Sequence, residues 1–136
     1  MEPLRIGSVA VFAVALSSCT DMGTPIIAPV DHGNFVLYVT NQSMNVTLVD
    51  VEVFIDGGLA VSRDFQTNSG HTFVRFEYLI GEGTHTLRVR SKYVPDFQSK
   101  EFTLSSTPFA IIAFWSSPGD PSHFDIDFFR NQPSWN

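Results

Sequence analysis

Apolar and polar residues alternate along most of the chain, from Asn34 to Phe129. The run from Thr47 to Asp56 shows the pattern most clearly, because valine or isoleucine occupies every second position from Val49 onward. Side chains of a strand point alternately to its two faces, so this run predicts a strand with one buried face. The Asp56-Gly57-Gly58 sequence is typical of a hairpin turn and predicts pairing with a strand over Leu59 to Phe65.

A second pair of alternating runs lies between His71 and Arg90, on either side of a Gly-Glu-Gly sequence. Each run has one apolar face, and the glycines suit a tight turn, so the pattern predicts a second antiparallel hairpin. The residues expected on the apolar faces are Thr72, Val74, Phe76, Tyr78 and Ile80 before the turn, and His85, Leu87 and Val89 after it.

Four further runs predict strands, separated by a break at Pro95 and Asp96 and by a long turn from Ser116 to Ser122. One of them is apolar on both faces, which is typical of a central strand covered on both sides. Seven or eight short strands with frequent turns indicate an all-β sandwich of two packed sheets. The four runs are Asn34 to Asn41, Lys100 to Leu104, Phe109 to Trp115 (the doubly apolar one) and His123 to Phe129.

The N-terminus has the features of an export signal. Ile6 to Leu16 is an uncharged apolar run of eleven residues, too short for a membrane-spanning helix, which needs about 20 residues. The Leu16-Ser17-Ser18-Cys19 sequence that follows resembles the lipobox of bacterial lipoproteins, in which the cysteine is lipidated and becomes the new N-terminus. The resemblance implies a signal peptide over residues 1–18 and a membrane anchor at Cys19. The alternatives are an ordinary thiol or a signal cleaved elsewhere.

In such lipoproteins an aspartate directly after the cysteine favours retention at the inner membrane. Thr20 occupies that position here, so the outer membrane or cell surface is the expected location. Residues 19–33 contain prolines and glycines and show no sustained hydrophobic period, which predicts a flexible tether. The alternative is that Ile26 and Ile27 dock on the edge of the domain. The domain is expected over residues 34–130, with a short tail over 131–136.

Within the domain, the sequences VTLVDVEVFIDGG and TNSGHTFVRFEYLIGEGTHTLRVRSKY resemble the immunoglobulin-like and transthyretin-like (carboxypeptidase-regulatory type) domains of exported bacterial proteins. The resemblance lies in turns and core positions and covers about residues 34–104. It implies an immunoglobulin-like antiparallel β-sandwich of seven to eight strands, and it transfers no active site.

The net charge and the sequence motifs limit the classes of function that the chain can have. The net charge of −6 and the scattered basic residues exclude the basic surface that a nucleic-acid binder needs. No Gly-x-Ser-x-Gly, His-Glu-x-x-His or phosphate-loop motif is present in the sequence, and Cys19 is the only cysteine. We therefore expect a non-catalytic binding or structural module of the cell envelope that needs no cofactor.

The one constellation with metal-ligating chemistry is His123, Asp125 and Asp127, which period two places on one strand face. Neighbours on a face lie about 6.5–7 Å apart along a strand. Two of these side chains reach a shared ion at ligand distances near 2 Å, but three require strain. A solvated polar face explains the same alternation, and that interpretation is favoured.

Several aromatic residues occupy positions expected to face water: Tyr38, Phe54, Phe73 and Phe129. If they cluster, they form an apolar patch of the kind that marks a partner surface, for another envelope protein or for self-association. The alternatives are that loops cover them or that they are scattered singly. A carbohydrate ligand is the second hypothesis, with Trp115, Trp135 and Tyr93 as the aromatic residues that would stack on sugar rings.

Overall fold

The computed structural model describes residues 23–67 and 73–134. The predicted signal segment, Cys19 and Trp135 lie outside these residues. No helix occurs in the described part of the chain, so none there is suited to crossing a membrane. The described strands are β1 (Phe35–Asn41), β2 (Leu48–Ile55), β3 (Gly58–Gln66), β4 (Val74–Tyr78), β5 (Thr84–Ser91), β6 (Val94–Thr103), β7 (Phe109–Ser117) and β8 (Asp120–Phe129).

The predicted all-β sandwich is confirmed. The first sheet has the strand order β4-β1-β7-β8, and the second has the order β3-β2-β5-β6. Every pair is antiparallel except β1 with β7, which is parallel. The doubly apolar run forms β7, a central strand as predicted. In immunoglobulin constant domains the first strand pairs with the second, whereas here β1 pairs with β4 and β7.

The predicted hairpin over His71 to Arg90 is wrong. β4 pairs with β1, residues 79–83 cross to the other sheet, and β5 pairs there with β2 and β6. An apolar face requires only that a strand face the core, and two strands in opposite sheets meet this requirement as well as two paired strands do. Tyr78, fully buried at the end of β4, donates a hydrogen bond across the sandwich to the carbonyl oxygen of Ala60 (2.8 Å). Burial raises the pKa of Tyr78 above its ordinary value.

Two predicted interruptions are also wrong, and both concern proline. Pro95 lies inside β6, and Pro121 lies inside β8, so the expected long turn is a tight one at residues 118–119. Both strands are at the edge of their sheet, with a neighbour on one side only. Proline is tolerated there because an edge strand does not need every backbone N–H for pairing.

The core lies between the two sheets and contains the inward-facing residues of all eight strands. Its most aromatic part is a three-ring stack. Phe102 of the second sheet lies between Phe35 and Phe128 of the first, with ring centroids 4.7 and 4.9 Å apart. The stack therefore joins the two sheets at one end of the sandwich.

The segment before β1 docks on the domain, which is the alternative left open by its sequence. The backbone of Leu59 exchanges hydrogen bonds with Pro25 (2.7 Å) and Ile27 (2.9 Å) at the free edge of β3. Ile27 packs against the core, whereas Ile26 remains 79% exposed. Gly58 accommodates the Ile27 side chain, since a Cβ at this position would lie 2.6 Å from its Cδ1.

A candidate binding face

The solvent side of the first sheet carries apolar residues that differ in exposure: Trp115 is 40% exposed, whereas Val36, Tyr38 and Ala113 are buried. Its centre is formed by outward-facing residues of β1 and β7, and its two borders by β4 and β8. We call this surface the β7 face. Its central residues are Val36, Tyr38, Thr40, Phe109, Ile111, Ala113 and Trp115.

Three of the four aromatic residues singled out by the sequence lie on the β7 face. Tyr38 and Phe73 contact each other edge to face, with ring centroids 6.5 Å apart. Tyr38 is only 4% exposed, so it is covered and does not form an exposed patch. Phe129 lies beside Phe109 across the β7–β8 pair. Phe54 does not join them, because β2 places it on the outer side of the opposite sheet.

Phe54 is covered by its own neighbours. Its ring contacts Phe97 (5.8 Å), the guanidinium of Arg90 lies 5.2 Å from it, and that of Arg88 lies 3.8 Å from the Phe97 ring. Arg90 also pairs with Glu52 (2.5 Å). Guanidinium groups are attracted to the faces of aromatic rings, and with these neighbours around it Phe54 is only 9% exposed. The arrangement accounts for Phe54 without a partner.

A cleft of about 570 Å³ opens at one end of the β7 face. Trp115, 40% exposed, lies in it between the segment after β1 and the β7–β8 turn. A shallower hollow of about 230 Å³ continues from the cleft along β7. The two share Gln42, Trp115 and Asp125, so together they form one groove.

The floor of the groove follows from the side chains of β7. Ala113 lies between the larger Ile111 and Trp115, and Phe73 lines the hollow on the β4 side. The sequence predicted a strand covered on both faces and also named Trp115 as a surface aromatic; Trp115 is 40% exposed, whereas Ala113 is buried. Sequence reasoning missed Gln42 and Met44, which line the cleft from outside any predicted strand.

The residues considered for metal binding form one border of the groove. His123, Asp125 and Asp127 all face outward from β8, and the nearest pair, His123 Nε2 and Asp125 Oδ1, lies 3.7 Å apart. Among residues 23–67 and 73–134, no group of three or more His, Cys, Asp or Glu side chains is arranged to hold a metal ion. With Asp120 at the start of β8, the carboxylates form an acidic rim.

The aromatic residues of the carbohydrate hypothesis do not share one surface. Trp115 lies in the groove. Tyr93, 39% exposed, lies 6.0 Å from the inward-facing Phe114 at the end of the sandwich, and Trp135 is outside the described residues. A continuous row of stacking rings is therefore not formed by the two that can be placed.

A second polar cluster lies away from the groove, around the buried His85. Its Nδ1 contacts Asp56 Oδ2 (2.5 Å) and its Nε2 contacts the carbonyl oxygen of Gly81 (2.6 Å). Both partners are acceptors, and a neutral imidazole donates from one nitrogen only. The protonated ring satisfies both contacts. The cluster ties the β2–β3 turn to β5 and to the connection that crosses between the sheets.

The pKa values of the pair follow from these contacts. Burial lowers the pKa of His85, but the hydrogen bonds to Asp56 and Gly81 outweigh it and leave the pKa raised above 6.5. Burial raises the pKa of Asp56, but hydrogen bonds from His85 and from the amide of Thr86 leave it lowered below 3.8. Both partners are therefore charged, and the ion pair is formed, at pH values between 3.8 and 6.5.

We predict that His85→Gln destabilises the domain most at mildly acidic pH. The His85 contribution is fully present below pH 6.5 and is lost as the pH rises through the raised pKa of the folded state. The Asp56 contribution is present above pH 3.8 and is lost as the pH falls through its lowered pKa. Because Asp56 is about half exposed, we expect a loss of about 1–2 kcal/mol near pH 5.5.

Urea unfolding of the wild type and the variant at pH 5.5 and pH 9 measures this difference. His123→Gln is the matched control, because His123 is half exposed and its only other described contact is the Pro121 carbonyl oxygen. A His85→Gln loss that grows from pH 5.5 to pH 9 would contradict the prediction.

A scan of family models, a search of curated proteins and a search of solved structures each find no match to this chain. The candidate site is therefore defined by its own geometry and chemistry.

Proposed function

We propose that the protein is a lipid-anchored, non-catalytic binding module of a bacterial cell envelope, and that a partner protein binds in the groove of the β7 face. The observation that carries the proposal is the groove itself, in which the exposed Trp115 and Met44 lie beside an acidic rim. Exposed apolar side chains with polar residues around them are typical of interaction sites.

The anchor is supported by the lipobox-like sequence that ends at Cys19. Pro25 lies six positions after Cys19, and its carbonyl oxygen accepts a hydrogen bond from Leu59 at the domain edge. Six extended residues span at most about 20 Å. A lipid on Cys19 would therefore hold the domain close to the membrane surface, and Thr20 favours the outer membrane or cell surface.

A non-catalytic role is supported by the environment of the histidine with the shifted pKa. Both nitrogens of His85 are committed to Asp56 and Gly81, so this histidine has no free position from which to transfer a proton. Of the two sandwich types that the sequence resembles, we propose the transthyretin-like one, since the pairing of β1 departs from the immunoglobulin order.

A carbohydrate ligand is the second candidate, and the Trp115 cleft is what favours it. An exposed indole beside the amide of Gln42 and the carboxylates of Asp120 and Asp125 offers a stacking surface with hydrogen-bonding groups around it. The lack of a second aligned ring makes it the weaker of the two.

Site-specific photo-crosslinking in native cells tests the protein-partner proposal. A photoreactive residue at position 111, on the groove floor, should yield a discrete crosslinked protein. The same residue at position 64, exposed on the opposite sheet, is the control and should not yield it. Equal crosslinking from both positions, or none from position 111, would contradict the proposal.

A further inference from the structure

The charges around the groove are unbalanced. Asp120 and Asp125 border the cleft, and Asp125 and Asp127 border the hollow. None of the three forms an ion pair with a lysine or arginine of the described residues. His123 lies 3.7 Å from Asp125, and the ammonium group of Lys100 donates a hydrogen bond to the carbonyl oxygen of Ile126, next to Asp125 and Asp127 in the strand (2.8 Å). Among the described residues, the β8 border therefore has an excess of negative charge, with three carboxylates against Lys100 and His123.

On the opposite border, the one basic residue of β4, Arg75, is already paired. Arg75 forms an ion pair with Glu77 and a hydrogen bond with Tyr38, and these contacts raise its pKa. Glu77 also accepts a hydrogen bond from the amide of Gly33 (3.0 Å). Arg130 follows Phe129 at the far end of β8, beyond both hollows. A groove with this charge distribution repels anionic ligands and attracts cationic ones.

The floor of the groove suits a ligand in which a cationic group is flanked by apolar groups. The indole of Trp115 lies among the carboxylates, and the face of an indole binds guanidinium and ammonium groups. Met44, 82% exposed, adds an adaptable apolar wall. From Ile111 to Ser117 the groove follows about 20 Å of strand, which is the length of about six extended residues.

On this basis we propose that the groove binds a basic segment of the partner protein, in which arginine or lysine alternates with apolar residues. The cationic side chains bind at Trp115 and along the acidic rim, and the apolar ones pack over Ala113 and Ile111. This inference rests on the proposed function and specifies its partner. Charge complementarity selects a basic peptide over a neutral glycan.

The test uses the full chain and three probes: the blocked hexapeptide Arg-Val-Arg-Val-Arg-Val, its counterpart with glutamate in place of arginine, and cellohexaose. Titration calorimetry should show binding of the basic peptide alone. The affinity should fall several-fold between 50 and 300 mM salt, because exposed charges are screened over about a Debye length.

Two variants locate the site. The double variant Asp125→Asn with Asp127→Asn should lower the affinity for the basic peptide about ten-fold. Trp115→Ala should lower it by a similar factor. The double variant Asp64→Asn with Glu101→Gln removes the same two charges from the outer side of the opposite sheet, where both residues are exposed. This control should change the affinity by less than about two-fold.

Equal binding of the two peptides, no binding of the basic one, or an unchanged affinity in the rim variant would overturn the inference. Binding of cellohexaose alone, lost in Trp115→Ala, would also overturn it, while the groove would remain the binding site with a carbohydrate ligand. A partner crosslinked from position 111 through a segment without basic residues would retain the proposed function and reject this inference.

Discussion

Phe102→Ala should lower the free energy of unfolding by about 4 kcal/mol, the typical cost of removing a buried phenylalanine ring. Phe102 is 5% exposed and stacks on Phe35 and Phe128, and it also lies 5.5 Å from the His85 ring. The substitution removes the ring that joins the two sheets and leaves a cavity bordered by three aromatic side chains.

Urea unfolding followed by circular dichroism measures the effect, and thermal melting should show a fall in Tm of roughly 10–20 °C. Phe97→Ala is the matched control on the same strand. Phe97 is 37% exposed and packs beneath arginine on the outer side of the sheet, so its loss should cost about 1 kcal/mol. Equal losses for the two variants would show that Phe102 does not hold the sheets together as described.

Gly33→Ala is expected to cost about 3 kcal/mol, because it forces backbone against backbone. A Cβ at Gly33 would lie 2.3 Å from the carbonyl oxygen of Tyr78 and 2.7 Å from its carbonyl carbon and amide nitrogen. These atoms belong to the end of β4 and are held there by the amide of Asn34 (2.9 Å). The methyl group can fit only if the segment before β1 moves away from β4.

Gly81→Ala is the control, because it replaces a glycine by alanine at a position where the added methyl group meets no neighbour. Nothing lies within 4 Å of a Cβ at Gly81, and its backbone does not have a positive φ. Alanine there should leave the stability unchanged or raise it by up to about 1 kcal/mol, because it restricts the unfolded chain. Hydrogen exchange of the Asn34 amide should accelerate in Gly33→Ala alone. A Gly33→Ala variant as stable as the wild type would contradict the close approach.

The strands could be predicted from sequence because period-two alternation reports directly which face of a strand is buried. It predicted β2 and its hairpin to β3, and it identified β7 as central from its two apolar faces. Alternation does not show which strands pair with each other or which sheet a strand joins. The pairing of β4 with β1 depends on contacts distant in sequence, such as Tyr78 with Ala60, so the local turn signal at residues 81–83 was misleading.

The candidate site was predictable only in part for the same reason. Tyr38, Phe73 and Phe129 were identified as outward-facing aromatics, and their shared sheet follows from the strand order. Phe54 had the same local pattern and lies on the other sheet. Whether an outward aromatic stays open depends on its neighbours across the strands: Phe54 is covered by Phe97 and arginine, whereas Trp115 has the small Ala113 two residues before it.

The placement of the domain at a membrane depends on Cys19, and the intact mass of the protein purified from membranes of its native host tests this most directly. We predict the mass of the 118-residue chain that begins at Cys19, since 136 residues less the first 18 remain, plus the mass of its acyl groups. A Cys19→Ala variant should lose the acyl mass and the membrane association. An unacylated mass, or one that retains Met1, would contradict the proposal of a lipid-anchored envelope module.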